Sequence, residues 1–145
     1  MNRRCLVDAN VIIRHLVQDQ REQARAAAAL LAACDRGELT AVLIEAVLAE
    51  CIFVLESFYG HARNDIVRVL TALIQHPGIE LAAAPSPGEA LARYGSSGLH
   101  FVDCLLASTA AATATPIATF DRKLRAATGV TAWPWPAPAV LDDHA

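Results

Sequence analysis

The stretch Arg4-Cys5-Leu6-Val7-Asp8 is a short apolar run closed by a carboxylate, and Ile117-Ala118-Thr119-Phe120-Asp121 has the same form near the other end of the chain. Short apolar runs bounded in this way read as buried strands. Set parallel and side by side, these two would bring Asp8 and Asp121 out at one edge of a sheet. Between them strands and helices alternate. Thr40–Leu43, Ile79–Ala82 and Val130–Trp133 are the other strand candidates. Helical spacing covers Ala9–Val17, Arg21–Arg36, Glu45–Tyr59, Asn64–Gln75, a segment from Pro87 to Tyr94, Val102–Thr113 and Arg122–Ala127. Gly37, Gly60 and His76-Pro77-Gly78 supply the stops. The pattern predicts an α/β protein, a single-domain three-layer sandwich around a central, mainly parallel sheet. In such sheets ligands bind outside the carboxyl ends of the strands.

Composition agrees with a single packed domain. The chain has 145 residues, 54% hydrophobic and 19% charged, which excludes a disordered protein. Twelve Lys and Arg stand against fifteen Asp and Glu, a net charge of −3. That balance argues against nucleic-acid binding by bulk basicity and leaves room for a local basic patch. An apolar fraction above the usual ~45–50% points to surface that a partner buries. Asp8 cuts the N-terminal apolar run too early for a signal peptide, and Cys104–Phe120 is laced with Ser and Thr and broken by Pro116. Neither is a membrane span. Cys5, Cys34, Cys51 and Cys104 lack CxxC spacing and read as small core residues of a reduced, cytoplasmic protein. His15, His61, His76, His100 and His144 show no zinc-type spacing. Residues 1–133 form the expected domain. The tail, 134–145, is extended because Pro134, Pro136 and Pro138 alternate.

Four acids depart from surface behaviour. Asp8 and Asp121 end strands, where each also suits the cap of the next helix. On the Glu45–Tyr59 helix, Val47, Cys51, Val54, Leu55 and Phe58 form one apolar stripe. Glu45 and Glu56 fall opposite it, whereas Glu50 falls inside it. A carboxylate there needs an arginine or a metal ion to offset desolvation, and the metal is the reading taken. Asp103 sits in the first turn of its helix, where the helix dipole alone would favour it. Taken as a set, converging carboxylates repel by about 4 kcal/mol per pair at ~4 Å and an effective dielectric of ~20. Such a set raises its pKa values or recruits a divalent cation, and oxygen-only donors suit Mg²⁺ or Mn²⁺. Metal sites of this kind suit phosphodiester hydrolysis, with no nucleophilic side chain required.

The same residues carry a family resemblance. Val7-Asp8-Ala9-Asn10-Val11-Ile12 resembles the opening of the PIN-domain nucleases, in particular the VapC toxins of bacterial toxin–antitoxin pairs. Leu48-Ala49-Glu50-Cys51 is similar to the second acidic motif of that family, and His100-Phe101-Val102-Asp103-Cys104 to the third. Ala118-Thr119-Phe120-Asp121-Arg122-Lys123-Leu124 resembles the fourth. The likeness runs from about residue 4 to residue 133. It implies a Mg²⁺-dependent (or Mn²⁺-dependent) endoribonuclease with Asp8, Glu50, Asp103 and Asp121 around the metal. Asp8 and Asp103 would bind it, with Glu50 and Asp121 acting directly or through water. The resemblance further implies a homodimer restrained by a cognate antitoxin.

Asn10 is placed to hydrogen-bond Asp8 or a water, and Thr119 to steady Asp121; local turn hydrogen bonds account for both equally well. Arg14, Arg122, Lys123 and Arg125 are candidates to meet an RNA backbone or to be ordinary solvated charges. Trp133 and Trp135 either stack on bases or anchor the tail. Two enzyme classes share a strand-ending Asp. A phosphatase with an Asp nucleophile wants a second Asp two positions on, where this chain has Asn10. A phospho-receiver domain wants an acidic pair and a late Lys that are not evident. A PIN-like module that only binds RNA or protein is the non-catalytic alternative.

Overall fold

A computed structural model of the chain describes residues 2–136 and 141–142. Four strands, β1 (Arg3–Val7), β2 (Leu39–Ile44), β3 (Ile79–Ala82) and β4 (Ile117–Ala118), form one sheet in the order β3-β2-β1-β4. Every pairing is parallel: Leu6 of β1 stands opposite Val42 of β2 and Ile117 of β4. The helices are α1 (Ala9–Val17), α2 (Arg21–Asp35), α3 (Glu45–Phe53), α4 (Arg63–Ile74), α5 (Pro87–Ser96), α6 (Phe101–Thr113) and α7 (Arg122–Arg125). The sheet is flanked by these helices, as the alternation predicted. The core is the apolar interior of β1, β2 and β4 with Val11, Val47, Cys51, Leu106 and Phe120, all buried.

The chain order creates the site. From β1 the sheet grows through β2 to β3 on one side, and then β4 returns to the other side of β1. The direction of growth therefore reverses between β1 and β4, the switch point at which parallel sheets open a crevice beyond their strand ends. Asp8 follows β1 directly, and its N–H donates to Ala118 O of β4 at 3.0 Å.

Three elements differ from expectation. β4 stops at Ala118 because side chains replace the ladder beyond it: Phe120 N donates to Asn10 Oδ1, and Thr119 O accepts from Trp135 Nε1. The Val130–Trp133 strand reduces to one bridge, Ala132 with Ile117, because Val130 N is used in a turn to Ala127 O and Pro134 has no N–H. The long helix from Glu45 is α-helical only to Phe53 and continues as a π-helical turn over Val54–Phe58, closed by Tyr59 N to Val54 O. The wider turn rotates Phe58 off the apolar stripe, so it is 77% exposed. At Gly78 the requirement is space: a Cβ there would stand 2.7 Å from Cys34 Cβ of α2.

All four cysteines are buried and free. No helix among the described residues is long and apolar enough to cross a membrane. Trp135 stacks on Phe120 with centroids 4.6 Å apart, and the Arg3 guanidinium lies 4.4 Å from the Trp133 ring centroid, so both indoles anchor the tail. Of the segment 134–145, Pro138 and His144 lie outside the described residues.

Candidate active site

Three separate elements deliver carboxylates to one cavity of about 320 Å³. Asp8 comes from the β1–α1 junction, Glu50 from α3 and Asp103 from the first turn of α6. Asp8 and Asp103 are each 3% exposed, and Glu50 is half-buried. Asn10, Arg14 and Tyr59 line the same cavity.

Asp8 is the best-held of the acids. Its Oδ1 accepts from Ala9 N at 2.7 Å, and its Oδ2 accepts from the Thr119 hydroxyl at 2.6 Å. That hydroxyl also accepts from Asn10 Nδ2 at 3.2 Å and from Asp121 N at 3.1 Å. A hydroxyl has one proton, so both incoming donors orient it towards Asp8. Thr119 thus steadies the carboxylate of Asp8 and the backbone of Asp121. Asn10 acts one bond further out, gripping Thr119 and Phe120 N instead of Asp8 itself.

The electrostatics bear the mark of convergence. Burial pushes Asp8 up to about 6, against the hydrogen bonds from Thr119 and Ala9. Glu50 rises to about 7 through burial and the charge of Asp8. Asp103 rises to about 7 through burial and then through Asp8, Glu50 and Asp121, partly offset by His100. Asp103 Oδ2 is buried without a hydrogen-bond partner among the described residues. Repelling carboxylates with an orphaned acceptor oxygen fit a hard divalent cation by donor chemistry. As the side chains stand, no three His, Cys, Asp or Glu among the described residues form a ready-made coordination group. An ion would have to draw them closer.

Asp121 behaves differently. It is fully buried outside the cavity lining, with Oδ1 capping α7 through Lys123 N at 3.0 Å. Its Oδ2 has no hydrogen-bond partner among the described residues, and it is close enough to raise Asp8 and Asp103. Of the candidate cations, Arg14 alone is among the cavity-lining residues, held by Gln23 Oε1 at 2.7 Å, Tyr59 Oη at 3.2 Å and Asp19 at 3.2 Å. Lys123 lines a separate groove with Arg93 and Ser97, and Arg122 is exposed on α7. Arg125 is turned inward and donates to Trp133 O. The sequence pattern passed over Tyr59, Gln23 and Asp142, the last of which also lines the cavity. Nothing in their local sequence marks them, because each arrives through tertiary packing.

Fold and cavity together define an α/β protein with a carboxylate-lined pocket at the switch point of a parallel sheet. Within that class the chain belongs to the PIN-domain family, whose profile matches residues 5–130. No curated protein matches it in sequence. Among solved structures it is similar to VapBC2 from Rickettsia felis bound to a DNA fragment from its promoter. There the TM-score is 0.67 at 16% identity, covering 92% of this chain and 99% of that one. It is similar to a toxin–antitoxin complex from Klebsiella pneumoniae, with a TM-score of 0.58, 17% identity and coverages of 88% and 95%. PAE2754 from Pyrobaculum aerophilum matches with a TM-score of 0.57, 21% identity and coverages of 91% and 92%.

Proposed function

We propose that the chain is a metal-dependent endoribonuclease, the toxin of a type II toxin–antitoxin pair. The observation that supports this most is the convergence of Asp8, Glu50 and Asp103, from three elements, on one cavity, where Asp8 raises the pKa of both other acids and Glu50 raises that of Asp103. Asp8, Asp103 and Glu50 would hold Mg²⁺ or Mn²⁺, with Asp121 behind them acting through water. A cation bound there supplies a Lewis acid for the phosphate and lowers the pKa of a water. Thr119 and Asn10 keep Asp8 oriented, and Arg14 at the cavity wall meets the phosphate of the RNA backbone. An Asp-nucleophile phosphatase is disfavoured because Asn10, at the acid position, is spent on Thr119 and Phe120.

The toxin reading rests on the fold shared with two toxin–antitoxin structures and on exposed apolar side chains. Ile52, Phe53 and Phe58 stand out from α3 and the π turn, and Phe58 lines the cavity itself. We assign that surface to the antitoxin. Leu91, Tyr94 and Phe101, exposed on α5 and α6, are assigned to self-association as a homodimer. The decisive experiment incubates the purified, partner-free chain with structured RNAs, with and without Mg²⁺ or Mn²⁺, beside Asp8→Asn and Asp103→Asn. Metal-dependent cleavage lost in both variants is expected. Cleavage without metal, or cleavage undiminished in the variants, overturns the mechanism. RNA binding without any cleavage would instead favour the non-catalytic module.

A further inference from the structure

The C-terminal segment brings a fourth carboxylate to the lining of the acidic cavity. Asp142 lies in the tail, beyond the span that the family profile matches. Its backbone nevertheless extends the sheet past the end of β4. Asp142 N donates to Phe120 O at 2.7 Å and Arg122 N donates to Asp142 O at 2.8 Å, a parallel bridge beside Asp121. Trp135, stacked on Phe120 and bonded to Thr119 O, anchors the tail on the same stretch of chain.

The side chain is positioned as deliberately as the backbone. Asp142 Oδ1 accepts from Gln23 Nε2 at 3.3 Å. Gln23 is fully buried, and its Oε1 accepts from Arg14 Nε at 2.7 Å. Because the arginine claims the amide oxygen, the amide nitrogen is the end left to face Asp142. Asp142 lines the cavity with Asp8, Glu50 and Asp103, and its carboxylate has acceptor sites beyond the one Gln23 occupies. Asp103, only 3% exposed, is another lining residue, and its buried Oδ2 has no hydrogen-bond partner among the described residues.

We propose that Asp142 is a cation-holding residue of the site, supplying a further carboxylate oxygen directly or through a water, so that the tail completes the metal pocket. The inference rests on the metal-dependent reading of that pocket. It also predicts that Gln23 ties the Asp142 carboxylate to the Arg14 guanidinium, which links the metal side of the site to its phosphate side.

The test is Mn²⁺ binding to the full chain by isothermal titration calorimetry, with RNA cleavage measured in parallel. Asp142→Asn keeps an oxygen for Gln23 and removes the charge. Its expected effect is a roughly 10-fold or greater rise in the Mn²⁺ dissociation constant. The metal-free melting temperature should be unchanged or higher, and Asp142→Glu should restore part of the affinity. Affinity within twofold of wild type in Asp142→Asn overturns the inference. Asp103→Asn separates the two readings. If it abolishes Mn²⁺ binding while Asp142→Asn does not, the metal pocket stands and the role of the tail falls. If the wild-type chain binds no Mn²⁺, both fall.

Discussion

Acidic residues occupy two opposite environments in this molecule. On the outer surface Glu80 is gripped by both terminal nitrogens of Arg4, Glu38 by Arg36, and Glu89 by the Ser108 hydroxyl and Arg93. Each of these carboxyls is held below its usual range by its donors. In the cavity Asp8, Glu50 and Asp103 are buried among one another and pushed above theirs. The surface acids are matched with cationic or hydroxyl partners, while the cavity acids carry a cost of burial and mutual repulsion that Thr119, Ala9 N and His100 offset only in part. That difference supports the proposal that the cavity takes a cation.

The contrast breaks most visibly at Asp103. Asp103→Asn should lower metal-dependent RNA cleavage by ~10²-fold or more, since even outer partners of metal ligands cost 10–100-fold. In the absence of metal, the same change should raise the melting temperature, because an amide carries no charge to repel Asp8 and Glu50. A variant that is both active and less stable would abolish the distinction between the two sets of acids.

Stability against pH tests the whole cavity at once. The site carboxyls have folded-state pKa values above their unfolded ones, so folding favours their protonated forms. The stability this contributes is present below about pH 4 and is lost as pH rises through 6 to 7. The surface acids run the other way, stabilising above about pH 4.5 and losing that contribution as pH falls below their folded values. Metal-free protein should therefore melt about 5–10 °C lower at pH 8 than at pH 5. Millimolar Mg²⁺ or Mn²⁺ should recover much of the difference at pH 8 and little of it at pH 5. Differential scanning calorimetry at the two pH values decides it, and a flat profile would remove the evidence for convergence.

Smaller effects sharpen the comparison. Thr119→Val removes the hydroxyl that donates to Asp8 Oδ2. Asp8 should then rise further, and the acidic limb of the cleavage profile should move to higher pH, with a loss of about 10-fold at neutral pH. On the surface, Glu80→Gln should change stability by no more than ~1 kcal/mol, because both partners in that pair are about half exposed. Cleavage should be unaffected. Chemical denaturation and the RNA assay together verify both halves of that expectation.

Much of this was legible in the chain itself. Five short apolar runs separated by helices pointed to a parallel sheet covered on both faces, because a strand buried on both sides shows no alternation, and four of the five became strands. Glu50 was marked by its angle among Val47, Cys51 and Val54, and its half-burial follows from that angle. The same geometry failed for Phe58, since one π turn shifts the helical phase and no residue type announces it. Thr119 was expected beside Asp121, and its shared role with Asp8 arose from how β4 meets the β1–α1 junction.

Periodicity, strand-ending acids and turn residues are local properties, and they determined the element order, the sheet and the identity of the acids worth watching. Convergence is a property of distances between residues more than a hundred positions apart, and only the tertiary structure decided it. It set Asp103 and Glu50 against Asp8 in one cavity, and it placed Asp121 behind that cavity as a cap. It also brought Asp142 in from the tail through two backbone hydrogen bonds. A carboxylate's sequence neighbours decide whether it can end a strand or cap a helix. Its pKa and its chemistry are decided by whatever charge the fold brings within a few ångströms, and that depends on the packing of the whole sheet.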